Sequence, residues 1–300
     1  MIKIGLIGYG RYGKKYHQCI KERKDAKIIK ILKKKKIKNK IFTSNENTFF
    51  KSKDIDLYII ASPSETHFHY LKKTINKKKN IICEKPIVTN SSDLKEIISS
   101  LKKFKKILLV NHSDLYNKNY KLVKKNFNKI GKIKKIELIF GKEDIYKLKA
   151  NNNKLNLPHF EWLPHPLAII NNLLKLKKNK FKVIEKREII KKFIFQNLLI
   201  TLLNKIKITI KFYNNYNKPK RNIVINGDKG KIIYKGYDKN NFQLIIGKNT
   251  ISKNRNKISP MQNIIDSMCK KIQKNKKNDD RKLAIKVTKD LLDISRQIKI

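Results

Sequence analysis

The chain has 300 residues, 40% of them hydrophobic, enough for one large domain or two medium ones with a buried core. The longest apolar runs fall well short of a membrane span, so no membrane partner is expected. The formal charge of +51 raises a nucleic-acid reading, but it comes from 67 Lys and only 7 Arg spread along the whole chain. Lys, Asn and Ile share A/T-rich codons, and base-directed recognition favours clustered Arg, so no specific nucleic-acid partner is expected. Cys19, Cys83 and Cys269 fit neither a metal spacing nor a disulfide framework and suit a reducing compartment. The first strand opens at residue 2, so no signal peptide is expected and the predicted location is cytoplasmic.

In chain order, residues 2–7 form a short apolar run that reads as a buried parallel strand. Gly8, Gly10 and Gly13 follow in G-x-G-x-x-G spacing, and 11–23 reads as a helix. In that context Gly8 makes the tight turn, Gly10 admits a pyrophosphate and Gly13 lets helix and strand pack closely. The free N–H groups of the helix start would receive the anion. The bland alternative is a plain glycine turn.

Further strands are predicted at 27–32, 56–61, 80–83 and 107–110, with helices at 67–76 and 93–104. Ser91, Ser92 and Asp93 offer N-cap oxygens for the last of these. Strands alternating with helices imply a doubly wound parallel sheet of the Rossmann kind, an α/β arrangement. The Lys33–Lys40 run is the main low-complexity segment. Where an NAD-binding unit places Asp or Glu, near residue 33, this chain has Lys33 and Lys34, within a lysine cluster at 33–36. No acid occurs between Asp25 and Glu46. NADP(H) is therefore favoured over NAD(H), the alternative being that these are simply more of the chain's many lysines.

After residue 119 the pattern changes. A helix at 120–127 and a Gly131 turn lead to a run of strands at 133–140, 181–184, 187–190, 193–203, 206–213, 221–225, 231–234 and 242–246. Residues 227–230 read as a hairpin turn. Sequential strands predict an α+β domain with a mostly antiparallel open sheet, whose free face could join subunits into a dimer or tetramer. Helices at 261–273 and 281–296 close the chain. The predicted domains are 1–118 and 119–300, with the closing helices free to pack back between them.

Two strand ends carry further chemistry. Ala61-Ser62-Pro63-Ser64-Glu65-Thr66-His67 follows one strand, and Cys83-Glu84-Lys85-Pro86 follows the next. Ligands of an open parallel sheet bind at such carboxyl ends. On spacing alone Lys85 reads as one of many surface lysines. Taken together, GYGRYG, ASPSETH and EKP resemble the glucose–fructose oxidoreductase / inositol dehydrogenase (Gfo/Idh/MocA) family, a likeness that extends along the chain.

That resemblance implies an NAD(P)-dependent oxidoreductase moving a hydride between nicotinamide and a carbinol or ketone of a sugar, nucleotide sugar or cyclitol. It implies cofactor contacts from Gly8, Tyr9, Gly10, Arg11, Tyr12, Gly13, Lys33, Lys34, Ser62, Pro63, His67, Glu84 and Lys85. It implies catalysis by Lys85, which would hydrogen-bond the reacting oxygen, and by an acid-then-histidine pair spaced by four, here Glu161 and His165. His165 would be the general base, and Glu161 would orient or charge-balance His165 or Lys85. The i, i+4 spacing would put both on one helix face, although Pro164 and Pro166 argue against a regular helix and allow one starting near Pro164. The family's usual Asp is Glu here. The bland alternative for His165 is a packed histidine near a helix start. His112, Tyr116 and Trp162 are candidate substrate contacts, and His159 reads equally as packing. No metal is expected. The competing reading is a non-catalytic NAD(P)-binding sensor or partner protein of the same fold.

Overall fold

The computed structural model describes residues 1–34, 39–142, 146–147, 158–176, 179–190, 193–203, 205–214, 218–236, 242–253, 259–276 and 279–298. Contacts divide the chain into two units, Met1–Ser113 with Ile258–Lys289, and Asp114–Lys257 with Asp290–Ile300.

The first unit is built on six strands, β1 Ile2–Ile7, β2 Ala26–Leu32, β3 Phe42–Thr43, β4 Leu57–Ile60, β5 Asn80–Cys83 and β6 Leu108–Val110. All pair in parallel, in the order β3-β2-β1-β4-β5-β6. This is the Rossmann order, and it reverses direction between β1 and β4, where a crevice opens at the strand ends. Helices cover both faces of such a sheet, so its strands are apolar without alternation. Leu57, Ile59, Ile60, Ile82 and Leu109 are fully buried, each side chain contributing about 1.5–3 kcal/mol over exposure. The connecting helices are α1 Arg11–Lys21, α2 Glu46–Phe50, α3 His67–Asn76 and α4 Ser91–Lys103. The cap of α4 corrects the sequence expectation: Asn90, not Ser91, Ser92 or Asp93, accepts the Asp93 N–H at 2.9 Å.

The second unit contains α5 Lys118–Asn126, α6 Pro158–Trp162 and α7 Pro164–Leu174. Its strands are β7 Ile133–Gly141, β8 Tyr146–Lys147, β9 Phe181–Ile190, β10 Phe193–Leu202, β11 Lys207–Tyr213, β12 Lys220–Gly227, β13 Gly230–Lys235, β14 Phe242–Ile246 and β15 Asn249–Lys253. They form one sheet, β15-β14-β13-β12-β7-β11-β10, with β8 and β9 both pairing β10. Only β7 and β11 run parallel. Side chains alternate along each strand, so Ile136, Leu138 and Phe140 on β7, with Ile208, Ile210 and Phe212 on β11, are buried. Residues 181–184 and 187–190 are one continuous strand, β9, rather than two. The predicted hairpin joins β12 to β13, and Asp228 ties it down by accepting the Lys132 N–H at 2.8 Å.

The division at 118/119 that the sequence suggested leaves the closing helices, α8 Pro260–Gln273 and α9 Arg281–Gln297, free to pack back between the domains. Contacts group residues 258–289 with the first unit and 290–300 with the second. Polar contacts accompany the buried apolar face of α8, formed by Met261, Ile264, Ile265 and Met268. Arg23, just past the end of α1, pairs with Asp266 on α8. Arg281 donates to the backbone oxygens of Leu101, Phe104 and Lys106 at 2.8–2.9 Å, capping the end of α4. The N–H of Asp280 reaches Leu108 O at 3.0 Å. Among the described residues no helix is long and apolar enough to cross a membrane.

Candidate functional site

In the first unit, the turn after β1 needs glycine for two different reasons. Gly8 has φ of +92°, and a Cβ there would lie 2.6 Å from Ser62 N and 2.7 Å from the Ala61 carbonyl. A Cβ on Gly13 would strike the Gly8 carbonyl oxygen. Gly10 is different: a Cβ there would meet nothing within 4 Å. Gly10 also N-caps α1 with no side-chain hydrogen bond, and the first turn of α1 holds no acid. Open space at a helix start that no side chain caps suits a pyrophosphate. Tyr9 is held beside this turn by a 2.8 Å hydroxyl contact with His17 Nδ1 and by the edge of Phe42. Arg11 and Tyr12 are exposed at the start of α1 and in mutual contact. Beyond β2, Lys33 lies 6.0 Å over the Tyr9 ring and Lys34 is exposed. Lys35 and Lys36 of the predicted cluster lie outside the described residues.

The loops after β4 and β5 are bound to each other by His67. Its Nδ1 lies 2.6 Å from Pro86 O and its Nε2 3.0 Å from Ser62 O. A neutral ring carries one N–H and can donate to only one carbonyl at a time. Burial pushes the ring toward that neutral form. His67 therefore fixes the positions of Ser62, Pro63 and the Lys85–Pro86 turn, whose peptide bond is cis. Glu84 is anchored from the other side. Its Oε1 accepts from Tyr16 Oη at 3.0 Å and from Asn111 Nδ2 at 2.7 Å. Burial raises the Glu84 carboxyl pKa, against the opposing pull of Asn111, Lys85 and Tyr16. The carboxylate is thus engaged inside the protein, and Tyr16 and Asn111 are site residues that no motif pointed to. Lys85 follows it, half-buried at the carboxyl end of β5. His112, just past β6, is buried.

In the second unit, Glu161 and His165 fall on two consecutive helices. Leu163 separates α6 from α7, and Pro164 starts α7 at its first turn, where a missing N–H costs nothing. Glu161 therefore sits on a different helix from His165, and it is exposed whereas His165 is buried. The acid beside His165 is Asp114, whose Oδ2 lies 2.8 Å from His165 Nδ1. Asp114 is carried by a single helical turn, Ser113–Tyr116, which also holds the half-buried Tyr116. Arg221 on β12 donates from Nη1 to both Asp114 oxygens, at 3.0 and 3.2 Å. Burial pushes the Asp114 carboxyl up, but Arg221 and His165 outweigh it and hold it well below the usual carboxylate range. Trp162 completes the cluster: Arg221 lies 5.5 Å over its ring, and the His165 ring is 6.2 Å away. A carboxylate on Nδ1 leaves Nε2 as the basic ring atom, the arrangement of a histidine acid–base catalyst.

His159 takes no part in this cluster. It is buried between Gln196 Oε1 (3.2 Å) and Ser295 Oγ (2.9 Å), with its pKa lowered by burial to about 4. That is a packing role. Among the described residues no group of three or more His, Cys, Asp or Glu could hold a metal ion. A cavity of about 990 Å³ in the first unit is lined by Asn80 and Ile107 at the starts of β5 and β6. It therefore opens at the opposite sheet edge from the motif-bearing loops, and its lysines match the rest of the surface.

Residues 2–112 match the family described as oxidoreductase family, NAD-binding Rossmann fold (GFO_IDH_MocA). The chain is 29% identical over 132 residues to the uncharacterized oxidoreductase YrbE of Bacillus subtilis, covering 41% of this chain and 39% of that protein. It is 25% identical over 132 residues to myo-inositol 2-dehydrogenase of Thermotoga maritima, covering 41% and 40%. These alignments span about two fifths of the relatives' length. The crystal structure of biliverdin reductase from Synechocystis sp. PCC 6803, in complex with biliverdin and NADP+, superposes with a TM-score of 0.80 at 12% identity, covering 99% of this chain and 98% of that one. At that identity the likeness speaks for the fold alone.

Proposed function

We propose that this chain, whose residues 2–112 match the Gfo/Idh/MocA oxidoreductase family, is an NAD(P)-dependent oxidoreductase of that family acting on a sugar, nucleotide sugar or cyclitol. The observation that carries the reading is Lys85 at the carboxyl end of β5, in a turn anchored by His67 and Glu84. The same sheet presents the open turn at Gly10. The residues fit a dinucleotide: the N–H groups at the start of α1 would hold the pyrophosphate, and Lys33 and Lys34 would face a 2′-phosphate. When bound, the nicotinamide supplies the hydride donor or acceptor. Lys85 donates a hydrogen bond to the reacting oxygen and stabilises negative charge developing there. His165 takes the hydroxyl proton on Nε2 in the oxidative direction and returns it in the reductive one.

The preference for NADP(H) rests on Lys33 and Lys34 standing where an acid would select NAD(H). Self-association through the second unit's sheet is part of the proposal. Ile184 and Leu199, paired across β9 and β10, are large apolar side chains on one face of it, 55% and 36% exposed. The test is nicotinamide absorbance with a panel of sugars, nucleotide sugars and cyclitols, alongside NADPH and NADH binding. Lys85→Met should remove turnover and leave NADPH affinity within about threefold of wild type, a loss expected when only a transition-state contact is removed. Near-full turnover by that variant, or no binding of either cofactor by the wild type, defeats the reading.

A further inference from the structure

We propose that Asp114 is the positioning residue of His165, and that Arg221 holds Asp114 in place for that task. This rests on the reading of His165 as the acid–base group. The carboxylate comes from outside the histidine's own helix, and three separate elements converge to build the arrangement. Asp114 is fixed by its short helical turn, whose backbone oxygen accepts from Asn117 N at 3.0 Å. His165 is fixed at the proline-initiated start of α7. Arg221 is fixed on β12, where it pairs in register with Phe140 of β7. Rigid supports of this kind hold a side chain to the tolerance that acid–base chemistry requires.

Asp114 and His165 expose only 4% and 7% of their side chains. At that burial an ionised carboxylate needs compensation. Arg221 supplies it through one nitrogen shared by both oxygens, and the Trp162 ring under the guanidinium restricts where Arg221 can move. Among the described residues, the groups facing His165 include Asp114 and the Trp162 ring, with Arg221 beyond Asp114. Tyr120 is close enough to Asp114 for their charges to interact, and Tyr234 lies near Tyr120. The Asp114–Arg221 pair is neutral in sum. Its near member stabilises a proton on the imidazole and its far member opposes that proton. Asp114 therefore does two things: it selects the tautomer with hydrogen on Nδ1, and it lets Nε2 take and release a proton without the ring turning.

The test uses the full-length protein without cofactor and does not need a known substrate. In ¹⁵N spectra of histidine-labelled protein, the His165 signals are identified by their loss in His165→Gln. They should report Nδ1–H and bare Nε2 above the titration, and this measurement needs no variant of Asp114. In Asp114→Asn the His165 titration should move down by about one pH unit, since removal of a close opposite charge disfavours the imidazolium. Once a substrate is found, kcat should fall 10- to 100-fold, a loss typical of removing an orienting partner, with KM for NADPH unchanged. An Nε2–H tautomer in the wild type overturns the proposal, and so does an unmoved titration in Asp114→Asn. So does a kcat loss in Glu161→Gln equal to that in Asp114→Asn. If no substrate turns over but the tautomer and titration are as stated, the pairing stands and the proposed function fails. If turnover is found with the wrong tautomer, the reverse holds.

Discussion

Gly8 and Gly10 stand two residues apart, and replacing each by alanine separates what the fold needs from what a ligand needs. At Gly8 the φ of +92° is hostile to a side chain, and the new methyl would sit 2.6–2.7 Å from the backbone of Ala61 and Ser62. Strained backbone costs about 1–3 kcal/mol, and forcing an atom into packed backbone adds about 1–3 more. The sum, roughly 2–6 kcal/mol, is a large part of a typical total of about 5–15. At Gly10 the backbone has φ −82° and ψ −156°, and the methyl meets nothing, so stability should stay within about 0.5 kcal/mol. If a pyrophosphate approaches Gly10, the same methyl occupies its place. NADPH affinity should then fall at least about tenfold, or roughly 1.4 kcal/mol. Urea unfolding followed by fluorescence and a fluorescence titration with NADPH measure both. The reasoning is refuted if Gly10→Ala binds NADPH as the wild type does, or if the urea midpoint of Gly8→Ala is unmoved.

Lys33→Glu should weaken NADPH binding about tenfold or more, the scale of one charge-assisted phosphate contact, while NADH binding holds or improves; equal losses for both cofactors would dissociate Lys33 from the 2′-phosphate. His159, lowered from 6.5 to about 4, stays neutral in the folded chain while the unfolded chain takes up a proton. Stability should therefore be lost as pH falls from about 6.5 to 4, by roughly 3 kcal/mol at most from this group. His159→Gln should flatten that part of the urea-midpoint profile, and an unchanged slope would contradict the neutral, buried assignment.

The first unit was largely legible because its signals are local. A buried parallel strand is a continuous apolar run, and the turn after it must be glycine where φ is positive. Residues 2–7, 67–76 and 80–83 accordingly have the predicted bounds. The strands β3, β8 and β15 carry no such run and went unread. The site in the second unit was only half legible. Pro164 foretold a helix start, and Glu161, on the short helix before it, is exposed where His165 is buried. Asp114 lies 51 positions before His165, and nothing in its neighbours Ser113 and Leu115 marks it as a partner of that histidine. Tyr16 and Asn111 were hidden for the same reason: each becomes a partner of Glu84 only when α1 and the end of β6 are folded against β5. Charge carried little information about this cluster, since the residues gathered at His165 are one Asp and one Arg in a chain coloured by lysine.

The clamp of Arg281 on the carbonyls that end α4 also has a temporal side. The nucleotide-binding unit is discontinuous in sequence: the ribosome must deliver all of residues 114–257 before the residues that finish it emerge. Until then the backbone acceptors at and just past the end of α4 lack the Arg281 guanidinium, and the motif-bearing sheet lacks its closing helices. A nascent chain in this interval is the form most exposed to misassembly. Cutting after residue 113 would recreate that interval permanently, so the cofactor half of this protein is a unit of structure but not a segment of chain.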